Sequence, residues 1–191
     1  MRPTALAAAA LCLLAACGGG STTSGTATTS STAVSSSSSS TSVTSAPPGA
    51  TTPVSVAPTH PTTHLVAVRV SRQEGADRIV FEFAERLPGY KVAYASKPII
   101  GTSGKETPLA GTAALVVRME QASGVDLSTG LKEIYQGPNR VAATGTQQVL
   151  EVAQVEDFEG VLTWAAGLKA QAPFRVLALA SPPRLVIDVS S

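Results

Sequence analysis

The sequence predicts an all-β domain, and three features of the chain indicate this fold class. Apolar and polar residues alternate with a period of two over most of residues 64–191, which is the pattern of half-buried strands. Turn signals recur about every ten residues, a spacing typical of a β-sandwich or a barrel. No helical repeat competes with this pattern. The first 63 residues lack the alternation, so we expect one folded domain after a separate N-terminal segment.

The first half of the domain contains four predicted strands, at residues 66–71, 78–83, 90–95 and 113–120. In the fourth strand Leu115, Val117 and Met119 are expected to face inward. The connection at 97–108 is loop-like around two glycines and holds a short strand at 99–100. Residues 121–145 are irregular, and we predict a short helix at 131–135 within them.

The second half contains four more predicted strands, at residues 148–155, 161–168, 174–180 and 184–189. The first two form a hairpin around a turn at 157–160. Leu162, Trp164 and Ala166 share one face of the return strand. A Ser-Pro-Pro turn at 181–183 precedes the last strand.

One strand pattern occurs twice. Residues 78–83 and 184–189 are each basic, apolar, apolar, apolar, acidic and apolar in order. Many amphipathic strands share this pattern, but it also fits a domain with two related halves. In each copy the Arg and the acid lie four residues apart on one face, so we expect them to pair with cross-strand partners at the rim of the sheet. A ligand site at these residues is the alternative.

Composition excludes several functions. The stretch 64–191 carries 13 basic and 13 acidic residues, so it is formally neutral and lacks the basic excess that nucleic-acid binding requires. Neutrality also gives no support for binding to anionic lipid. About 128 residues are enough for one domain with a real core. Both Cys precede residue 18, so the domain has neither a disulfide nor thiol chemistry.

The N-terminus has the features of a secretory signal. Arg2 precedes an apolar run at residues 5–14, which is too short to span a bilayer. The run ends in Leu-Ala-Ala-Cys at 14–17, which resembles the lipobox of bacterial lipoproteins. The resemblance implies a signal peptide at 1–16, Cys17 as the new N-terminus with a diacylglycerol on its thiol and fatty acyl chains such as palmitate, and hence an anchor on the outer face of the cell membrane. The alternative is an ordinary signal peptide with a chance Cys.

Residues 17–63 are predicted to form a disordered linker. Residues 18–63 contain no charged and no aromatic residue and are rich in Ser, Thr and Pro. Such a segment buries too little apolar surface to offset its ordering entropy. It serves either as a passive spacer or as a glycosylated tether.

The chemistry of catalytic and metal sites is mostly missing from the sequence. The two histidines, His60 and His64, lie at the junction of linker and domain, so we predict no metal site, no cofactor and no Ser-His-Asp triad. Glu156, Asp157 and Glu159 lie in one turn. They are interpreted as a solvated hairpin turn and not as a calcium site, because the spread of oxygen ligands is too small.

Aromatic residues are scarce, so each is weighed as a binding residue. Exposed Tyr and Trp offer flat amphipathic contact area to glycans and partners. Tyr90 and Tyr135 are the preferred candidates, with Arg140 in a polar loop and Arg184 from the repeated strand. Trp164 is also a candidate, although the apolar face that it shares favours core packing.

Several segments resemble a known family in their order along the chain. These are residues 75–83 (GADRIVFEF), 87–90 (LPGY), 157–168 (DFEGVLTWAAGL), 173–176 (PFRV) and 181–189 (SPPRLVIDV). Together they resemble the AMIN-like domain of lipoproteins from high-GC Gram-positive bacteria, over residues 64–191. The resemblance implies a single β-sandwich of two similar halves that localises to the cell envelope by binding peptidoglycan. In amidases a catalytic domain follows the AMIN domain, whereas this sequence stops at Ser191, so we expect no enzymatic activity.

The resulting hypothesis is a membrane-anchored lipoprotein whose domain binds cell-wall polymer. Two alternatives stay open. The first is a protein-interaction or assembly module of the envelope. The second is a small-ligand carrier or an enzyme, which requires a deep pocket with convergent polar groups.

Overall fold

The computed structural model describes residues 50–191, which form fifteen strands and contain no helix. The strands are β1 Val54–Val56, β2 Thr63–Gln73, β3 Ala76–Phe83, β4 Gly89–Ala95, β5 Ile99–Ile100, β6 Glu106–Thr107, β7 Ala113–Glu120, β8 Ala122–Ser123, β9 Val125–Asp126, β10 Lys132–Glu133, β11 Arg140–Ala142, β12 Val149–Phe158, β13 Val161–Leu168, β14 Phe174–Ala180 and β15 Pro183–Ser190. In this part of the chain no helix is long and apolar enough to cross a bilayer. The predicted signal peptide, Cys17 and the linker up to residue 49 lie outside the described residues.

Two sheets face each other, which confirms the predicted all-β sandwich. The six-stranded sheet has the order β1-β4-β7-β13-β12-β11, and the five-stranded sheet has the order β14-β15-β3-β2-β8. All neighbours within these sheets are antiparallel except β2 and β8. Two small ribbons, β5-β6 and β9-β10, accompany them.

The core consists of the facing sides of the two sheets. The residues predicted to face inward from β7 and β13 are buried, namely Leu115, Val117, Met119, Leu162, Trp164 and Ala166. Phe81 of the five-stranded sheet meets Trp164 of the six-stranded sheet edge-on, with ring centroids 6.0 Å apart. This contact joins the two sheets through their largest side chains.

The two strands with the repeated pattern are neighbours in the five-stranded sheet. Their antiparallel register is centred on Val80 opposite Val186, so each Arg lies opposite the acid of the other strand. Arg78 donates two hydrogen bonds to Asp188, at 2.6 and 2.8 Å, which confirms the predicted cross-strand pairing for this pair. Arg175 of β14 also contacts Asp188. The second pair differs, because Glu82, which lies opposite Arg184, accepts a hydrogen bond from Arg69 of β2 and not from Arg184.

The end of the predicted linker is folded, so the prediction of disorder up to residue 63 is wrong for this part. Val54–Val56 pairs with the edge strand β4, and Thr63 is fully buried at the start of β2. Pro58 lies against Gly89, where a Cβ would come within 2.4 Å of the Pro58 nitrogen. The short Val-Ser-Val alternation inside a Thr- and Pro-rich stretch is enough to complete a sheet edge, because β4 supplies the pairing partner.

The predicted helix at 131–135 is also wrong. Lys132–Glu133 is strand β10, which pairs with β9. The next two backbone N–H groups, of Ile134 and Tyr135, both donate to the carbonyl of Gly124 at 2.9 Å. These non-local bonds satisfy the backbone groups that a single helical turn would have left without partners.

Gly111 allows the loop before β7 to lie directly on the end of β13. A Cβ at Gly111 would lie 1.9 Å from the carbonyl oxygen of Leu168, and φ is +80°. We expect Gly111→Ala to lower the free energy of unfolding by about 1–2 kcal/mol more than Gly104→Ala. Gly104 is the matched control, because its φ is +77° and no atom lies within 4 Å of its Cβ position. Equal losses in urea denaturation would contradict this steric explanation.

Candidate functional site

A concave surface lies at the turn end of the β12–β13 hairpin. Two adjoining cavities of about 490 and 480 Å³ occur there, and residues of β8 and β9 line both of them. We call them together the hairpin cleft. The residues that line both cavities are Ser123, Val125, Leu127, Glu159 and Gly160.

Apolar side chains are exposed mainly around this cleft. Among the described residues four large hydrophobic side chains are exposed, namely Ile100, Leu127, Leu131 and Phe158. The last three line the cleft, with exposed fractions of 63%, 73% and 59%. Single exposed hydrophobic residues need no explanation, but a group of them around a cavity is typical of an interaction site.

Tyr135 lies in the wall of the cleft and is held rigidly. Its ring packs edge-on against Trp164, with centroids 5.6 Å apart, and its hydroxyl donates to the carbonyl of Pro138 at 3.0 Å. A Cβ on Gly137 would come within 2.5 Å of the Tyr135 hydroxyl oxygen, so glycine is required beside the ring. Tyr135 is therefore a preorganised part of the wall, although only 9% of it is exposed.

Asp157 holds the segment opposite Tyr135 in place. Its carboxylate accepts hydrogen bonds from the backbone N–H of Gly124 at 2.7 Å and from the hydroxyl of Ser123 at 3.2 Å. The Ser123 hydroxyl in turn accepts from the N–H of Val125 at 3.0 Å. This chain of bonds ties β8 and β9 to the end of β12.

The three acids of the predicted hairpin turn have separate environments. Glu156 accepts two hydrogen bonds from Thr102, each 2.7 Å long, whereas Asp157 binds Gly124 and Glu159 is exposed in the turn. Within residues 50–191 no group of three or more His, Cys, Asp or Glu is placed to hold a metal ion.

The backbone around the cleft is strained. Three non-glycine residues of the described chain have positive φ, namely Gln121 at 57°, Leu131 at 66° and Glu159 at 50°. All three line the cleft. Such conformations cost on the order of 1–3 kcal/mol each and concentrate at functional sites. Their shared location is a second observation, independent of the cavities, that indicates function here.

Leu131→Asn is expected to raise the free energy of unfolding by about 0.5–1 kcal/mol, because Asn tolerates positive φ better than Leu. The gain should be visible in urea denaturation. Leu127→Asn is the matched control, since Leu127 is similarly exposed in the same loop but has no positive φ. A loss of stability in Leu131→Asn would contradict the assignment of strain to this residue.

The electrostatic character of the cleft is acidic. Its lining includes Asp126, Glu133, Asp157 and Glu159, contains no Lys or Arg, and has His64 as its one histidine. The hydroxyl of Ser128, with help from that of Thr129, lowers the pKa of Asp126 to about 2. Asp126 is therefore ionised throughout the physiological pH range.

The structure brings only one of the five candidate binding residues into the cleft. Tyr135 lies there, whereas Trp164 is fully buried in the core, as the predicted packing of its strand requires. Tyr90 is only 3% exposed, so it is not the exposed platform that its turn position predicted. The reason is that Tyr90, like Val92 two positions later on β4, belongs to the hydrophobic core between the sheets, with Val56 of β1 as its neighbour in the sheet.

The two candidate arginines lie elsewhere. Arg140 forms an ion pair with Glu151 at 2.6 Å and donates to the carbonyl of Pro108. Arg184 lies on the five-stranded sheet, and its Nε is buried without a hydrogen-bond partner among the described residues. The candidates therefore do not form one site.

Sequence reasoning did not identify Leu127, Leu131 and Phe158. A signal was present, because two leucines four positions apart flank Ser, Thr and Gly in a polar loop, and a phenylalanine lies among acids in a predicted turn. Residues in turns are expected to be exposed to solvent, so large apolar side chains there are candidates for an interaction site.

The fold is a β-sandwich with an open cleft at the turn end of the β12–β13 hairpin. A family model described as the AMIN-like domain matches residues 63–191, which is more than half of the chain. The chain therefore belongs to the AMIN-like domain family, and this membership indicates a module associated with the cell envelope. No curated protein and no solved structure matches the chain.

Proposed function

We propose that this chain is a lipid-anchored envelope protein whose AMIN-like domain binds peptidoglycan through the hairpin cleft, without catalysing a reaction. The observation that carries the proposal is the coincidence of exposed apolar side chains, carboxylates and strained backbone around one cavity. Family membership supports the envelope as the location. The lipobox-like sequence at residues 14–17 supports the anchor.

The cleft is suited to binding. Asn139 and Gln154 line it beside Tyr135, so amide groups that donate and accept hydrogen bonds lie next to an aromatic wall. Such a mixture matches the hydroxyl, amide and apolar faces of a glycan with attached peptides. Asp126, with its lowered pKa, holds its negative charge and is a poor proton donor at neutral pH.

The binding proposal is tested by co-sedimentation. The full-length protein, purified in detergent, is mixed with insoluble peptidoglycan at low and at physiological salt, and with cellulose as the control. We expect the protein to pellet with peptidoglycan and to remain in solution with cellulose. Failure to pellet at low salt would overturn the proposal, and crosslinking to one defined envelope protein in intact cells would then favour the assembly module.

The anchor is tested separately at Cys17. In cells labelled with palmitate, the wild-type protein should carry label and fractionate with the membrane. Cys17→Ala should lose both properties. Membrane retention of Cys17→Ala would argue for anchoring by another route.

A further inference from the structure

We infer that the hairpin cleft recognises an ammonium group on an aliphatic arm, namely the free side-chain amine of a diamino acid in uncrosslinked wall peptides. This inference rests on the proposed function, because it names the part of the wall that the same cleft selects. It is carried by charge complementarity together with the shape and the apolar lining of the cleft.

The first step is that negative charge predominates in the cleft, because its four acids share the lining with a single basic side chain, that of His64. The described residues form seven ion pairs, and none of them includes Asp126, Glu133, Asp157 or Glu159. Six other carboxylates of the described domain are paired, among them Asp188 with two arginines and Glu151 with Arg140, whereas Glu74, Glu106 and Glu156 form no ion pair. A domain that is neutral as a whole therefore concentrates unpaired negative charge at one cavity.

The second step is that two of these carboxylates are accessible to a ligand. Glu133 on β10 and Glu159 in the hairpin turn are both exposed. Glu133 comes from the β9–β10 ribbon and Glu159 from the turn of the β12–β13 hairpin. Both residues line the same cavity. An ammonium group entering the cavity would meet negative charge from two elements, and hydrogen bonds to charged groups are the stronger class.

The third step is that the apolar lining fits the aliphatic arm that carries such an amine. Leu127, Leu131 and Phe158 surround the same opening. Burial of methylene groups against these side chains contributes favourable binding free energy. A cation over the face of an aromatic ring adds a further electrostatic attraction. A free carboxylate or a phosphate would instead be repelled by the four acids.

The inference is tested with three preparations of insoluble peptidoglycan. The first is untreated, the second is N-acetylated with acetic anhydride so that its amines become neutral, and the third is reductively methylated so that its amines keep their positive charge. The full-length protein is titrated with each preparation in the co-sedimentation assay. We expect acetylation to weaken binding about tenfold and methylation to leave it within about twofold.

Variants tie the effect to the cleft. The double variant Glu133→Gln with Glu159→Gln is expected to bind untreated wall about tenfold more weakly and to lose its sensitivity to acetylation. The matched control is Glu74→Gln with Glu106→Gln, which removes two exposed carboxylates outside the cleft and should behave as the wild type.

The outcomes separate this inference from the proposed function. Equal binding to untreated and acetylated wall would overturn the ammonium inference and leave wall binding intact. A loss on methylation equal to that on acetylation would also overturn it, because charge would not be the recognised property. No binding to untreated wall would overturn the proposed function itself. Crosslinks from the cleft to lysines of an envelope protein, without any effect of wall acetylation, would assign the acidic cleft to a protein partner.

Discussion

Asp77→Ala is expected to lower the free energy of unfolding by about 3–5 kcal/mol, because it removes a buried carboxylate whose backbone N–H donors and arginine would then lack their partner. Asp77 is fully buried at the start of β3. Its carboxylate accepts hydrogen bonds from the backbone N–H groups of Gln147, Gln148 and Val149. It also forms an ion pair with Arg72 at 3.0 Å.

The contacts of Asp77 join the two sheets, which is why a large effect is expected. Asp77 belongs to the five-stranded sheet, whereas Val149 begins β12 of the six-stranded sheet. Without the carboxylate, three backbone donors would lose their acceptor where little water can replace it. A domain of this size is usually stable by only about 5–15 kcal/mol, so the variant would be marginal.

The effect is measured by urea denaturation at pH 7. Glu74→Ala, in the adjacent exposed turn, is the control and should change the stability by less than about 0.5 kcal/mol. Asp77→Asn keeps the shape but not the charge, so it should be destabilised less than Asp77→Ala. A loss below about 1 kcal/mol in Asp77→Ala would contradict the role of this carboxylate as the link between the sheets.

The same contacts give the stability a pH dependence of known sign. Burial by itself raises the pKa of Asp77, but the hydrogen bonds from residues 147–149 and Arg72 outweigh it and leave the pKa below its ordinary value. The stabilisation is therefore complete above the pKa of the unfolded chain, near 3.9, and is lost as the pH falls through the lower folded-state pKa. The stability difference between wild type and Asp77→Ala should shrink below about pH 4.

Phe158→Ser is expected to weaken binding to peptidoglycan by about thirtyfold, the loss that is typical when an aromatic hot-spot residue is truncated. More than half of Phe158 is exposed at the rim of the hairpin cleft, so the substitution removes little from the core. The unfolding free energy should therefore change much less than the affinity.

Ile100→Ser is the matched control for Phe158→Ser. Ile100 is exposed to nearly the same extent, at 57%, but lies on β5 away from the cleft. Co-sedimentation of the full-length variants with peptidoglycan measures both affinities. Equal loss in the two variants would show that exposed apolar surface in general drives association, and no loss in either would move the binding surface away from the cleft.

The repeated strand pattern shows which side-chain pairs can be predicted from local sequence and which cannot. The order of basic, apolar and acidic residues in 78–83 and 184–189 predicted cross-strand ion pairs, and Arg78 with Asp188 confirms one of them. The sequence did not say that the two copies pair with each other, because any antiparallel neighbour with a suitable acid would satisfy the same pattern. It also did not show that Glu82 would bond to Arg69 and not to Arg184.

The assembly of the hairpin cleft could not be predicted from the sequence. Leu127, Leu131 and Phe158 are separated by up to about thirty positions, and nothing in their local patterns indicates that they share an opening. They meet because Asp157 binds the backbone at Gly124 and because β10 folds back on β9. The helix predicted at 131–135 failed for the same reason, since long-range backbone bonds replaced local ones.

The sequence by itself determined the all-β class, the approximate position of most long strands, the neutrality of the domain and the family to which it belongs. These properties depend on period-two alternation, on composition and on motif order, which are all local or additive along the chain. The tertiary structure alone decided that Val54–Val56 completes a sheet, that Tyr90 lies in the core, and that unpaired acids and exposed apolar residues meet at one cleft. Those outcomes depend on which distant segments pair, and pairing is decided by the packing of the whole sandwich.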